Sequence, residues 1–225
     1  MELFRKLQLW IDPEPRPGPE AMAVDEWLLE SATLPVLRAY RWAGDWASLG
    51  YFGALDAARA AFPGVPLVRR WTGGGLVDHR ADWTYTLAIP QAESLARLRG
   101  DHSYRRIHEI LAQVLDQEGT RASLSHGADE TGDARCFSNP VTHDILGLEG
   151  AKLAGAGQRR SRQGLLHQGS VALACHDDAA FRRRAEALAN GLSSEWESIA
   201  LAPPAADLSQ RIANRYASPE WTGRR

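Results

Sequence analysis

Arg69-Arg70-Trp71-Thr72-Gly73-Gly74-Gly75-Leu76-Val77-Asp78-His79 decides the reading of this chain. A short apolar run, Val65-Pro66-Leu67-Val68, carries two arginines straight into three consecutive glycines. Glycine loses more backbone freedom on ordering than any other residue, so a triplet inside a folded chain implies that backbone approaches something closely. A neighbouring strand at a tight turn would be reason enough. A ligand whose oxygens need amide donors would be another. Arginines beside such a loop add paired donors suited to carboxylate or phosphate. The segment therefore reads as a site for an anionic or polar-headed ligand, with a strand-to-strand turn as the plainer alternative.

The bulk numbers narrow the class. The chain has 225 residues, 44% hydrophobic and 24% charged, as expected of one generous globular domain or one domain plus a small appendage. A net charge of -2 leaves no overall basic footprint for nucleic acid. No apolar run approaches the roughly 20 residues of a spanning helix, and the N-terminus lacks a signal-peptide core. Two cysteines, Cys136 and Cys175, form no Cys-x-x-Cys, so neither a disulfide framework nor a metal site is expected. A cytoplasmic monomer is the default expectation. Eight tryptophans favour large packing contacts over an apolar ligand tunnel.

Along the chain, residues 12–19 alternate with prolines and read as part of an N-terminal arm over residues 1–19. Residues 19–32 carry helical spacing. Strands are predicted over 36–42, 46–51, 65–70 and 83–89, with a short helix at 54–61. Ile107, Ile110, Leu111, Val114 and Leu115 mark one face of a helix over 103–119. Three strands (144–148, 151–158 and 165–174) precede a helix over 177–191, and a weak helix lies near 208–216. The domain proper spans 20–200 and a tail 201–225. The fold class is α+β: a mixed, largely antiparallel sheet flanked by helices.

A second unusual segment is Gly150-Ala151-Lys152-Leu153-Ala154-Gly155-Ala156-Gly157-Gln158-Arg159-Arg160. Small residues around Lys152 leave its ammonium able to project into a cleft. His167-Gln168-Gly169-Ser170 follows, and Cys136 lies upstream in Arg135-Cys136-Phe137-Ser138-Asn139-Pro140.

Arg-Arg-x-Thr-Gly-Gly-Gly-x-Val-x-His, then Gly-x-Lys-x-x-Gly-x-x-Gln-Arg-Arg, then His-Gln-Gly-Ser resembles the lipoate–protein ligase and octanoyltransferase family, whose catalytic domain is related to biotin–protein ligases. Met22-Ala23-Val24-Asp25-Glu26-Trp27 and Trp46-Ala47-Ser48-Leu49-Gly50-Tyr51 are similar to its opening helix and an early strand. The resemblance runs over about residues 20–190 and implies a biotin/lipoate ligase-like fold. It places Arg69, Arg70, Thr72, Gly73, Gly74, Gly75, His79, Gly155, Gln158 and His167 in substrate binding. It gives Lys152 the role of stabilising charge on the acyl carbonyl or phosphate, and sets Cys136 where one group of octanoyltransferases carries its nucleophile.

The activity implied first is attachment of lipoate, through an ATP- and Mg-dependent adenylate, to a lysine of a lipoyl-type carrier domain. The alternative is octanoyl transfer from acyl carrier protein through a Cys136 thioester. A non-catalytic acyl-binding homologue is a third reading. Biotin transfer ranks below these, because the chain has no Gly-Arg-Gly-Arg loop. Three departures stand out: the glycine triplet resembles the ligases, whereas the cysteine transferases tend to carry an arginine in place of its third glycine, here Gly75. Arg80 follows His79 where the family has an acid, leaving Asp78 or Asp82 to substitute, and the residues after 191 are too few for the ligases' accessory domain. Without the motifs, Lys152, His79 and His167 would read as ordinary solvated or hydrogen-bonded side chains. Arg159, Arg160, Arg162 and Arg182, Arg183, Arg184 read as solvated faces, or as docking sites for an acidic carrier.

Overall fold

The computed structural model describes residues 2–98, 101–127, 140–175 and 177–224. In chain order the elements are β1 (Leu7–Ile11), α1 (Gly18–Ser31), β2 (Val36–Tyr40), β3 (Ala47–Leu49), α2 (Leu55–Ala61), β4 (Leu67–Arg69), β5 (Leu76–Asp78) and β6 (Trp83–Pro90). They continue with α3 (Ser94–Arg97), α4 (His102–Gln117), β7 (Ser123–Leu124), β8 (Ile145–Leu146), β9 (Lys152–Arg160), β10 (Gly164–Val171), α5 (Asp178–Leu192) and β11 (Trp196–Ser198). The chain closes with α6 (Ala205–Arg211), a π-helical turn (Ile212–Tyr216) and α7 (Pro219–Thr222).

Eight strands form one sheet in the order β11-β1-β2-β6-β10-β9-β8-β7. β1 runs parallel to both its neighbours, and every other pair is antiparallel. The mixed, largely antiparallel α+β architecture is thus the one the sequence implies. A smaller sheet, β4-β3-β5, packs to one side.

The period of two in β6 decides which face is which. Trp83, Tyr85, Leu87 and Ile89 join Ile107, Leu111 and Leu115 of α4 and Phe181 and Leu188 of α5 in the larger core. Ala88 and Leu166 face the other way, against Met22 and Leu28 of α1 and Leu208 of α6. Between these apolar patches the second face is polar. There Arg38, fully buried, binds Asp12 at 2.6 Å and Asp25 at 2.7 Å. Burial pushes the Asp12 carboxyl up, but hydrogen bonds from Arg16 and Arg38 outweigh it and hold the pKa below its ordinary value. Asp25 also accepts from Gln168, which takes the Thr72 hydroxyl at 2.7 Å. The opening helix is therefore tied through the sheet to the glycine loop.

Several elements differ from the sequence expectation. Residues 7–11, expected in an arm, form β1, an internal strand between β11 and β2. One partner, β11, lies near the far end of the chain and the other, β2, beyond α1, so no local pattern marks it. β5 and β11, three residues each, are too short for a periodic signal. Arg184, read as solvated, is buried and paired with Glu118 at 2.7 Å. Among the described residues no helix is long and apolar enough to cross a membrane.

Candidate active site

The glycine triplet joins β4 to β5, wedged between two further glycines. A Cβ on Gly50 would overlap the Gly74 carbonyl, and a Cβ on Gly157 would overlap the Gly73 carbonyl and stand 2.7 Å from Thr72 Oγ1. Gly74 has φ +96°, where an L side chain is strained. Backbone packing on backbone is therefore one reason for these glycines, as the plainer reading had it.

The two arginines part company, because successive strand residues point to opposite sides. Arg69 is fully buried and spends its guanidinium on the carbonyls of Gly50, Tyr51, Gly53, Thr222 and Arg224. It does not line the cavity beside the loop. Arg70 does: Nη1 donates to Ser48 Oγ at 2.6 Å, and Nη2 to the Gly73 and Gly75 carbonyls at 3.1 and 3.0 Å. Arg70 thus braces the loop from the cavity side.

His79 lies beside Arg70 and shares its serine. Nε2 is 2.6 Å from Ser48 Oγ and Nδ1 is 2.8 Å from Asp82 Oδ2. The Asp82 carboxylate only accepts, which assigns the proton to Nδ1 and leaves Nε2 to accept the Ser48 hydroxyl. The Trp42 ring stacks on the imidazole, centroids 4.0 Å apart. Asp82 also takes the hydroxyls of Thr84 and Ser170. Asp82, three residues on, is thus the carboxylate that His79 meets. Asp78 instead turns outward to Arg80, whose hydrogen bond holds its pKa below the usual carboxylate value.

Lys152 opens β9. Its ammonium lies 2.5 Å from Asp144 Oδ2, while Oδ1 takes the Tyr104 hydroxyl at 2.5 Å. The Tyr104 oxygen accepts from the Ala156 amide at 2.9 Å, tying α4 to β9. The lysine runs over Gly155: a Cβ there would stand 2.7 Å from Cε and 2.9 Å from Nζ. Gly155 lines the same cavity as Arg70 and His79, whereas Lys152 itself borders another hollow with Gly147, Leu148 and Ala172 and reaches the first only across Gly155. The first cavity is lined by Trp42, Arg70, His79, Gly155, Gln168 and Ser170 among others. The two segments singled out in the sequence meet around one hollow.

Other expected residues fall elsewhere. Gln158 and His167 face the helices: His167 is within 3.0 Å of both Tyr85 Oη and Gln158 Nε2, and burial pushes its pKa well below the ordinary histidine value. Thr72 reaches the cavity only through Gln168. Cys136 lies outside the described residues. Among the described residues no group of three or more His, Cys, Asp or Glu side chains could hold a metal ion. Sequence reasoning passed over Ser48, Trp42, Tyr104 and Asp144. Only Asp144 had a usable signal, an acid a short strand-and-turn upstream of an unusual lysine.

The family model described as Lipoyl protein ligase A/B catalytic domain matches residues 17–199. The chain belongs to that family. Among curated lipoyl protein ligase A/B relatives, an octanoyltransferase LipM of Symbiobacterium thermophilum is 34% identical over 180 residues, 72% of this chain and 64% of its own length. The chain thus spans a little under two thirds of that relative. The fold is shared with solved family members. A bi-partite lipoate protein ligase from Thermoplasma acidophilum superposes with a TM-score of 0.69 at 19% identity, covering 99% of this chain and 97% of its own. A lipoate-protein ligase A bound with ATP gives 0.69 at 22%, covering 99% of both chains.

Proposed function

We propose that this chain moves a medium-chain acyl group, octanoyl in the first instance, from a carrier thioester to the ε-amino group of a lysine on a lipoyl-type domain. The observation that carries the reading is the Lys152 ammonium laid across Gly155 at the wall of the Arg70- and His79-lined cavity. Its wall is largely apolar, with polar side chains such as Arg70, His79 and Gln168 at a few points, the composition of a small-ligand site. The name octanoyltransferase on a 34%-identical relative favours transfer over the ATP-dependent ligation ranked first from the sequence.

In this reading the Cys136 thiolate attacks the thioester carbonyl, the carrier thiol leaves, and the acyl group rests on Cys136. The neutral acceptor amine then attacks that carbonyl, the Cys136 thiolate leaves, and the amine's surplus proton goes to it or to solvent. Lys152, held by Asp144, donates to the carbonyl oxygen as negative charge gathers there in both steps. Arg70, Ser48, His79 and Asp82 keep the loop and the acyl slot in shape. No nucleotide is consumed.

Intact mass of a purified lipoyl domain separates the alternatives. An octanoyl adduct formed from octanoyl carrier protein, absent with Cys136→Ala, supports transfer. An adduct that requires free lipoate, ATP and Mg supports ligation instead. No adduct from either donor, with octanoate still binding by calorimetry, supports an acyl-binding homologue.

A further inference from the structure

Phe52 is 84% exposed, yet it does not sit on a loose tip. The tight turn that carries it closes with the Gly53 amide on the Gly50 carbonyl at 2.9 Å, and Arg69 grips the carbonyls of Gly50, Tyr51 and Gly53 at 3.1, 3.0 and 2.7 Å. A large apolar ring is thus held out to solvent on a rigid mount, which lowers the ordering cost of binding.

The surroundings of that turn are cationic. Arg224 lies 4.1 Å from the Tyr51 ring centre and Arg159 5.0 Å, with Phe52 edge-on to the same ring. Among the described residues neither Arg159 nor Arg224 makes an ion pair, and the buried Arg159 Nε has no hydrogen-bond partner. Arg215, by contrast, stacks on neighbouring Trp71 and Trp221 and is balanced by Glu26. Burial, and then the Arg224 charge, hold Arg69 below the ordinary guanidinium range. On a chain of net charge -2, the guanidiniums of Arg69, Arg159 and Arg224 converge here with no acid paired to them among the described residues.

We infer that Phe52, Tyr51, Arg159 and Arg224 form the docking surface for the acyl acceptor, a small acidic domain that presents a lysine. The inference rests on the acyl-transfer reading above. Arginine and tyrosine around an exposed aromatic anchor have the composition of an interface hot spot, and uncompensated arginines select an acidic face. The position fits an acceptor better than a donor. Gly155 is two strand residues, roughly 7 Å, from Gly157. Gly157 abuts the glycine loop, and the loop abuts Gly50, two residues from Phe52. An interface of about 800 Å² per partner has a radius of about 16 Å, enough to span both the patch and the cavity. A lysine stem is four methylenes long, so its domain must rest this close, whereas an acyl group on a long carrier arm arrives from farther away.

The test uses Phe52→Asp and Arg224→Glu in the full chain, with a purified lipoyl-type domain as probe. Each variant is expected to raise the acceptor KM, and the Kd from calorimetric titration, about tenfold or more. Octanoate affinity and the KM for octanoyl carrier protein stay at the wild-type value. Added salt weakens wild-type binding more steeply than that of Arg224→Glu. An unchanged acceptor Kd overturns the inference, and so does a rise confined to the donor KM. The titration needs no turnover. Acceptor binding through Phe52 without transfer would therefore sink the acyl-transfer reading alone, and transfer with unaltered acceptor binding in both variants would sink the docking surface alone.

Discussion

Asp144 carries three loads at once, the Lys152 ammonium at 2.5 Å and the Val141 amide at 2.7 Å on one carboxylate oxygen and the Tyr104 hydroxyl at 2.5 Å on the other. Both the lysine and the aspartate are buried. Removing one partner of a buried pair costs about 3–5 kcal/mol, because the charge left behind loses its compensation. Asp144→Asn is accordingly expected to lower Tm and kcat together. Lys152→Met removes the donor to the developing oxyanion and is expected to lower kcat by about 10²–10³. The double change Asp144→Leu with Lys152→Met should recover part of the lost Tm, the Tyr104 hydroxyl and Val141 amide being left without their acceptor, and leave kcat at the Lys152→Met level. Recovery of kcat as well would remove Lys152 from the chemistry.

Arg69 and Arg70, adjacent in sequence, should separate by assay. Arg69→Lys forfeits most of five carbonyl contacts, including those to Thr222 and Arg224, and is expected to cost at least about 2 kcal/mol. Faster hydrogen exchange is expected over residues 219–224. Arg70→Lys loosens the loop from the cavity side and should weaken octanoate binding more than it lowers Tm. The reverse ranking would return Arg69 to the ligand site.

The glycines are not equivalent. A Cβ on Gly73 meets nothing within 4 Å, so Gly73→Ala is expected to leave Tm nearly unchanged. Gly157→Ala forces β9 away from the Gly73 carbonyl and should cost about 1–3 kcal/mol as an overpacking change. Thermal unfolding of the two variants, side by side, checks this. Equal stability would mean that the loop does not lie against β9.

Acid should destabilise the protein through a buried histidine. Burial pushes His108 down to about 4, against 6.5 for the free side chain. The unfolded chain then binds more protons between those values, so the stabilisation is fully present above pH 6.5 and is lost as pH falls toward 4. The difference is worth on the order of 3 kcal/mol. His167 acts in the same direction. His108→Phe is expected to flatten the fall of Tm across this window. An unchanged slope would place the acid sensitivity elsewhere.

Much of this was legible in the sequence because it is local. The alternation in Trp83-Thr84-Tyr85-Thr86-Leu87 and the one-sided apolar face of α4 report their own elements. The glycine loop and Lys152 were marked by residues costly to keep without a reason. The rest is long-range. β1 is a strand because β2 and β11 flank it, and Asp144 matters because Tyr104, on a different element, shares it. Arg69 shows the limit of motif reading: its type and place suggested a ligand, and strand parity turned it to the opposite side. His167 and Gln158 were misdirected in the same way, since nothing in their order says which face of β9 and β10 is hollow.

The central claim is that the cavity beside Lys152 hands an acyl group to and from this chain itself. Intact mass of the protein after brief exposure to octanoyl carrier protein, without acceptor or nucleotide, tests it most directly. One octanoyl adduct per chain is expected, mapped to Cys136, discharged by a lipoyl domain, and formed far more slowly in Lys152→Met. An unmodified chain that nevertheless acylates the lipoyl domain only when lipoate and ATP are supplied would contradict it.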